Sequence, residues 1–345
     1  MARLHALLSP SIAAAAFCLL PGCSGTAFSP PPTSSIPPME SAAGSATAHG
    51  AMVYAVEEYG NSVTAYPESA NGNVAPTLTI SGGQTQIYEP PGLAVDRTGK
   101  IAIADSNNAI GEYTPGASGN VAPVATITCG GPPNFPGNPG EIAFDSHGSL
   151  YVIYSLYHGA PSQAIEVYRS DQQSGCIQSK HILFGSKTGI PATGGITIAR
   201  GMIYTANDNS VRIFHVADNG NVAPTSLIQG ANTGLEYADG IAVDSQGYMY
   251  VANSSNVLVF GPGASGNAKP ARVIAGSNTR FPLNNAGATG IAVDRKGTIF
   301  VAVQNESVNS ILVFAPRANG NVSPIQDISG SKTGLSPVSE LALSD

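Results

Sequence analysis

A unit of about fifty residues recurs six times along this chain of 345 residues, and no other feature limits its fold so strongly. Each unit contains the phrase hydrophobic–Ala–hydrophobic–Asp, or a degenerate form of it, and we name this segment strand a. The copies stand at Leu93–Asp96, Ile142–Asp145, Ile196–Ala199, Ile241–Asp244, Ile291–Asp294 and Leu341–Ser344. Because the repeat is regular, each copy is expected to form the same supersecondary element.

Three further strands complete the unit. Strand b is a second apolar run, the first at Met52–Ala55, and strand c closes on an aromatic residue in every unit (Tyr66, Tyr113, Tyr168, Phe214, Phe260, Phe314). Strand d is short and more polar. Asp-x-x-Gly between a and b predicts a tight turn, in which Asp binds backbone N–H groups and Gly adopts a positive φ. Gly-Asn-Val-Ala-Pro joins c to d at Gly72–Pro76, Gly119–Pro123 and Gly220–Pro224, with variants at Gly266–Pro270 and Gly320–Pro324. In the third unit Gly175-Cys176 replaces the start of this motif.

These strands predict an all-β, six-bladed β-propeller of four-stranded antiparallel blades. Strands a, b and c are almost continuously apolar, which is typical of sheets that are covered on both faces. The domain begins with strand b and ends with strand a, so the C-terminal strand is expected to pair with the N-terminal blade and close the ring. The abundant Gly (40) and Pro (26) residues agree with many short strands and turns.

The N-terminus reads as an export signal. Residues 1–22 contain Arg3 and an apolar stretch, and Leu20-Pro21-Gly22-Cys23 is similar to a bacterial lipobox, in which the cysteine becomes the lipidated N-terminus. An ordinary cleaved signal peptide is the alternative. Residues 23–50 then form a disordered Ser/Pro/Ala-rich tether, and residues 51–345 form the propeller. The predicted location is the bacterial cell envelope, outside the cytoplasm, with the N-terminal lipid in the membrane.

Two cysteines remain in the body of the chain, Cys129 and Cys176. Cys129 ends strand d of the second unit, and Cys176 lies in the c–d turn of the third. These positions fall on opposite faces of a propeller, about one strand length of 17 Å apart, whereas the Cα atoms of a disulfide lie within roughly 7 Å. We therefore expect no bond between them.

The repeat resembles that of NHL-type six-bladed propellers, in particular bacterial lipoprotein relatives carrying G-I-A-V-D-x-x-G-x-I-Y-V-A-N. The best matches are Gly240–Asn253 and Gly290–Ala302, and the resemblance covers residues 51–345. It implies the propeller fold but no single function, because such propellers include scaffolds, binding proteins, lactonases and lyases.

The loops differ between the two faces of the predicted ring. The a–b and c–d turns are uniform, whereas the b–c and d–a loops vary and carry acidic and aromatic residues, so the variable face is the candidate binding surface. Its candidates include these residues: Glu57, Glu58, Tyr59, Ile87, Tyr88, Glu89, Asp105, Phe135, Tyr157, His158, Asn207, Asp208, Tyr237, Asn253, Arg280, Phe281 and Glu306. A peptide, a protein, a glycan or a cationic ligand would suit this rim. Nucleic acid is not expected, since the 15 Lys and Arg residues are scattered and the net charge is −7.

Carboxylates interrupt the repeat at the mouth of the predicted central channel. The position before strand a is Gly in four units but Glu141 and Glu340 in the other two, and Asp239 lies one step earlier in another unit. Three carboxylates around one opening could hold a Ca²⁺ ion, which takes six to eight oxygen ligands, or they could simply remain hydrated.

The sequence thus favours a monomeric, lipid-anchored propeller that acts as a non-enzymatic binding or scaffolding module, alone or within a cell-envelope assembly. The alternative is a divalent-cation-dependent enzyme similar to propeller lactonases and lyases. No G-x-S-x-G, H-E-x-x-H or P-loop motif is present, and no catalytic residue is proposed.

Overall fold

The computed structural model describes residues 50–128, 137–156, 163–169, 174–190, 194–282, 287–304 and 309–344. The chain divides into two units, Met1–Ala43 and Gly44–Asp345, and every described residue belongs to the second. The predicted signal and lipidation site (residues 1–22 and Cys23), nearly all of the tether, and Cys129, Phe135, Tyr157, His158 and Glu306 lie outside the described residues. Within the described ranges, no helix has the length and apolar character needed to cross a membrane.

The described residues form six antiparallel sheets of four strands, which confirms the predicted propeller. Blade one contains β1 (Met52–Glu57), β2 (Ser62–Pro67) and β3 (Leu78–Ser81). Blade two contains β4 (Gly92–Val95), β5 (Ile101–Asp105), β6 (Ala109–Tyr113) and β7 (Ala125–Ile127). Blade three contains β8 (Gly137–Phe144), β9 (Leu150–Leu156), β10 (Gln163–Tyr168) and β11 (His181–Phe184).

The second half of the chain repeats this order. Blade four contains β12 (Ile196–Ala199), β13 (Met202–Asn207), β14 (Ser210–His215) and β15 (Ser226–Gln229). Blade five contains β16 (Ala238–Val243), β17 (Met249–Asn253), β18 (Asn256–Phe260) and β19 (Arg272–Ile274), followed by a 3₁₀ turn at Ser277–Thr279. Blade six contains β20 (Ala288–Val293), β21 (Ile299–Val303), β22 (Ser310–Phe314) and β23 (Gln326–Ser329), and β24 (Val338–Leu343) follows it.

The last strand closes the ring. β24 pairs antiparallel with β1, so that Leu341 stands opposite Ala55 and Leu343 opposite Val53. The strand order of blade one is therefore β24-β1-β2-β3, and its innermost strand comes from the C-terminus. This arrangement confirms the predicted closure.

The hydrophobic core lies between neighbouring blades, because each sheet is apolar on both faces. Along β1, Tyr54 and Val56 pack in the cluster shared with blade two, whereas Val53 and Ala55 pack in the cluster shared with blade six. The aromatic residues that close strand c are all buried (Tyr66, Tyr113, Tyr168, Phe214, Phe260, Phe314). The near-continuous apolar pattern follows from this two-sided burial.

The turns between strands a and b have the predicted chemistry. In blade two, Asp96 Oδ1 accepts hydrogen bonds from the N–H groups of Thr98 and Lys100, at 2.8 and 2.9 Å. Gly99 adopts a φ of 84°, a value that favours glycine.

The c–d turns connect each blade to the one before it. The Gly of the motif forms a parallel bridge to strand d of the preceding blade, as Gly119 does to Ile80. The next residue, Asn120, accepts a hydrogen bond from Gln84 N at 2.7 Å. Equivalent Asn residues make the same contact around the ring (Asn73, Asn221, Asn267, Asn321).

This connection bears on the expectation that Cys129 and Cys176 form no bond, because it removes the distance on which that expectation rested. Cys176 is disulfide-bonded, and its partner cysteine lies outside the described residues. Gly175 forms a parallel bridge to Ile127, and Thr128 N donates to Gly175 O at 3.1 Å. The c–d turn of blade three therefore reaches the end of strand d in blade two, whereas the sequence argument placed these two segments a strand length apart.

Candidate functional site at the mouth of the central channel

The inner strands of all six blades enclose a central cavity of about 420 Å³. Its walls come from β4, β8, β12, β16, β20 and β24 and combine apolar side chains with polar groups. Strand a runs from the variable-loop face toward the uniform turns, so Glu340 lines the cavity at its variable-loop end. Arg97 and Arg295 line it at the other end.

β-Bulges in strand a change the direction of the side chains at this variable-loop end. In β8, Gly140 and Glu141 occupy the space opposite one residue of β9, and in β16, Asp239 and Gly240 do the same against β17. β20 and β24 are bulged at the equivalent place. A bulge redirects side chains out of the regular alternation of a strand, and here it occurs where the carboxylates enter the repeat.

The inner strands approach closely at the glycines of this ring. A Cβ atom on Gly92 would lie 2.4 Å from Gly140 O and 3.2 Å from Glu141 Cα, so a side chain there would force the strands apart. Glu340 and Glu141 belong to the blades on either side of Gly92. The missing side chain at Gly92 therefore leaves room between the two glutamates.

Glu141 and Glu340 form a carboxyl pair. Their side chains are hydrogen-bonded to each other, and Glu340 Oε1 also accepts from Leu341 N at 3.2 Å. Burial raises the pKa of Glu340 to about 7, with Asp239 adding repulsion. Burial and then the charge of Glu340 raise the pKa of Glu141 well above its ordinary value. Their mutual hydrogen bond raises the pKa of Glu141 and lowers that of Glu340, so Glu141 is the more readily protonated member of the pair.

One oxygen of this pair has no partner. Oε2 of Glu141 is buried and makes no hydrogen bond in the structure. A buried carboxyl oxygen without a donor is costly, so this atom is an available acceptor for a ligand at the channel mouth.

Other carboxylates near the channel mouth repel this pair or one another. Burial raises the pKa of Asp239 to about 6, and the charges of Asp208 and Glu58 contribute to the rise. Glu58 also repels Glu141, and its own pKa is raised by burial and then by Glu89. The structure thus brings together all three predicted channel-mouth carboxylates and adds Glu58, Asp208 and Glu89, which the sequence placed only on the loops.

The arrangement differs from a metal-binding cage. Among the described residues, no three His, Cys, Asp or Glu side chains are grouped closely enough to hold a metal ion. Glu141 and Glu340 instead interact as a carboxyl pair in which each changes the pKa of the other. The expected Ca²⁺ ligands are therefore neighbours in an electrostatic cluster, and the alternative of a metal-dependent enzyme gains no support from their geometry.

Exposed tyrosines stand beside these acids along the chain. Tyr59, Tyr88 and Tyr237 are 70%, 47% and 63% exposed, and they neighbour Glu58, Glu89 and the Asp239 segment in the sequence. Aromatic faces and carboxylates both attract cations. The variable face is therefore an acidic and aromatic surface around the channel mouth.

Several other predicted rim residues build the loops. Glu57 is buried and binds Thr64 Oγ1 and Ser336 N. Asn253 Oδ1 accepts from Glu236 N and Tyr237 N. Buried Asp105 binds Asn107 N, and buried Phe281 packs on Phe314. The sequence alone could not separate these structural residues from residues that face a ligand, because both kinds are polar or aromatic.

Comparisons with known proteins identify the fold. No family model matches the chain, and no curated protein does. A protein of unknown function from Bacteroides caccae is 8% identical, with a TM-score of 0.61 over 85% of this chain and 98% of that one. Raptor from Chaetomium thermophilum is 13% identical, with a TM-score of 0.51 over 73% of this chain but only 21% of its own. At these identities the likeness shows a shared propeller architecture and carries no function.

Proposed function

We propose that this protein is a non-enzymatic binding module whose channel mouth receives a positively charged group, such as a lysine or arginine side chain of a peptide or protein. The observation that carries the proposal is the carboxyl cluster of Glu58, Glu141, Asp239 and Glu340, which are electrostatically coupled and have raised pKa values. A bound cation would relieve this repulsion and satisfy Glu141 Oε2.

The surrounding surface supports the same ligand class. The exposed tyrosines of the variable face offer aromatic surface to the cation or to its carrier. Among the residues that the structure describes, no Lys, Arg or His side chain offsets the raised pKa of Glu58, Glu141, Asp239 or Glu340. The charge of the mouth therefore favours a cationic ligand over an acidic or neutral one.

Calorimetric titration with a tetralysine peptide tests the proposal. We expect binding that strengthens from pH 5.5 to 8, as Asp239 and Glu340 ionise, and that releases protons near pH 7. Because each substitution removes one charge and keeps the shape, Glu340→Gln and Asp239→Asn should each weaken binding about tenfold, equivalent to about 1.4 kcal/mol.

Two controls make the result specific. The Nε-acetylated peptide should not bind, and Asp218→Asn, which removes one charge from a c–d turn on the opposite face, should bind as the unchanged protein does. Equal affinity of the Glu340→Gln variant and the unchanged protein would refute the site.

We also propose that the module is an NHL-type propeller held at the bacterial cell envelope by a lipid on Cys23. The support is the lipobox-like Leu20-Pro21-Gly22-Cys23 and the Ser/Pro/Ala-rich segment that follows it. Metabolic labelling with palmitate in a bacterial host tests this anchor. Label should enter the full chain and be absent from Cys23→Ser, whereas an ordinary cleaved signal peptide would leave both unlabelled.

A further inference from the structure

A second cavity of about 420 Å³ lies between blades five and six, on the face of the uniform turns. Four basic residues line it: Arg272, Arg295, Lys296 and Arg317. They are four of the 15 Lys and Arg residues of a chain whose net charge is −7. Asp244 and Asp294 also line the cavity, so its formal charge is +2. We name it the basic cleft.

Aromatic rings and hydrogen bonds fix the position of Arg272. Its Cζ lies 5.4 Å from the ring centroids of both Tyr248 and Tyr250. Nη2 donates to Tyr250 Oη at 3.1 Å, and Tyr250 Oη donates to Asp244 Oδ2 at 3.1 Å. Since Tyr250 is buried, this chain anchors the guanidinium to the blade. Nη1 also donates to Ala318 O at 3.4 Å. A guanidinium has five N–H donors, so these two hydrogen bonds leave three for a ligand.

The two aspartates of the cleft accept hydrogen bonds from the backbone of their own turns. Asp244 Oδ1 accepts from Gln246 N and Tyr248 N, both at 2.9 Å. Asp294 Oδ1 accepts from Lys296 N and Thr298 N, at 2.8 and 2.7 Å. Their role in the Asp-x-x-Gly turns explains their presence in an otherwise cationic cleft.

The basic cleft departs from the repeat. Arg272 is the first residue of β19, and the strand register gives its counterparts in the other blades: Leu78, Ala125, His181, Ser226 and Gln326. Neither turn chemistry nor core packing of the repeat therefore requires an arginine here. Arg295, Lys296 and Arg317 are exposed at the rim, where they surround the opening without supporting the core.

We propose that the basic cleft binds a small ligand through an oxyanion, a phosphate or carboxylate group. A guanidinium held in one orientation can bind two oxygens of such a group at once. The cavity has the size of small-ligand sites, and the half-buried Tyr248 ring forms part of its wall. This site is independent of the acidic channel mouth, which attracts the opposite charge.

Titration of the full chain with inorganic phosphate, glucose 6-phosphate and glucuronate tests the proposal. We expect millimolar or tighter binding of at least one probe, weakened by NaCl. Phosphate binding as tight as that of the sugar phosphate assigns the site to the free oxyanion. Tighter binding of glucose 6-phosphate or glucuronate assigns it to a phosphorylated or acidic sugar.

Rim variants keep the test independent of folding. The double variant Lys296→Gln/Arg317→Gln changes only exposed side chains and should lose at least tenfold in affinity. Arg272→Gln should lose more. Lys332→Gln, an exposed lysine in a d–a loop, is the matched control and should bind normally. Absence of binding for all three probes at 10 mM, or equal affinity in the double variant, would overturn the proposal.

Discussion

Single residues at the channel mouth give this repeat protein its individual chemistry. Around the ring the position before strand a is glycine wherever the next strand approaches closely, and a Cβ atom on Gly240 would lie 2.4 Å from Thr289 O. Glu141 and Glu340 depart from this rule and meet at Gly92, where no side chain separates them. Two acids in one confined space cannot both ionise cheaply, and Glu141 is the more readily protonated of the two.

Glu340 is expected to make stability depend on pH. Its pKa is about 7 in the folded protein and near 4.5 when unfolded, so the folded state binds more protons between these values. The free energy of unfolding should therefore fall as pH rises from about 4.5 through 7. Glu340→Gln removes this loss, and we expect the variant to gain about 1–2 kcal/mol relative to the unchanged protein between pH 5 and pH 8, allowing for partial exposure to water.

Urea unfolding at pH 5, 6.5 and 8 measures this difference. Comparing variant with unchanged protein at each pH cancels the contribution of Glu57, whose pKa burial also raises to about 7. Glu236→Gln, an exposed rim residue, should show a difference that stays within about 0.5 kcal/mol at every pH. A constant difference for Glu340→Gln would mean that this carboxyl is not perturbed by its neighbours.

At the scale of the element, the sequence predicted the strands and turns because their requirements are local. Apolar runs, Asp-x-x-Gly and Gly-Asn-Val-Ala-Pro each depend on neighbouring residues. The contact from one blade's c–d turn to the previous blade's strand d was not predicted, since it joins residues of different repeats, such as Gly119 and Ile80. The bulges in strand a were missed for a similar reason: they appear only when two strands are paired.

The sequence-based prediction of no bond between Cys129 and Cys176 failed to include this inter-blade contact. Cys176 occupies the position of the Asn in the other turns, and in the sequence register Cys129 occupies that of Gly82, Gly185, Gly230, Gly276 and Gly330. A Cβ atom on Gly82 would lie only 3.0 Å from Asn120 Cβ. The repeat alignment therefore already contained the proximity signal, once the inter-blade contact was known to exist.

For the whole molecule, the two faces carry candidate sites of opposite charge. The acidic channel mouth opens among the variable loops, where sequence variation pointed to a binding surface. The basic cleft lies among the uniform turns, which the sequence indicated were scaffold. Its basic residues come from strand d of blade five and from one a–b turn and one c–d turn of blade six, so only the assembled ring brings them together.

The same assembly makes the C-terminal strand essential to the whole domain. Deleting residues 340–345 removes most of β24, including buried Leu341, and exposes the inner edge of β1. Truncating a single buried leucine to alanine costs about 2–5 kcal/mol, so we expect the deletion to cost more and to lower Tm for every blade together. Thermal unfolding followed by circular dichroism measures the loss. Leu341→Ala, which keeps the backbone pairing, should give an intermediate Tm, and removal of Asp345 alone should leave it unchanged. An unaltered Tm after the six-residue deletion would show that pairing with β1 does not hold the ring closed.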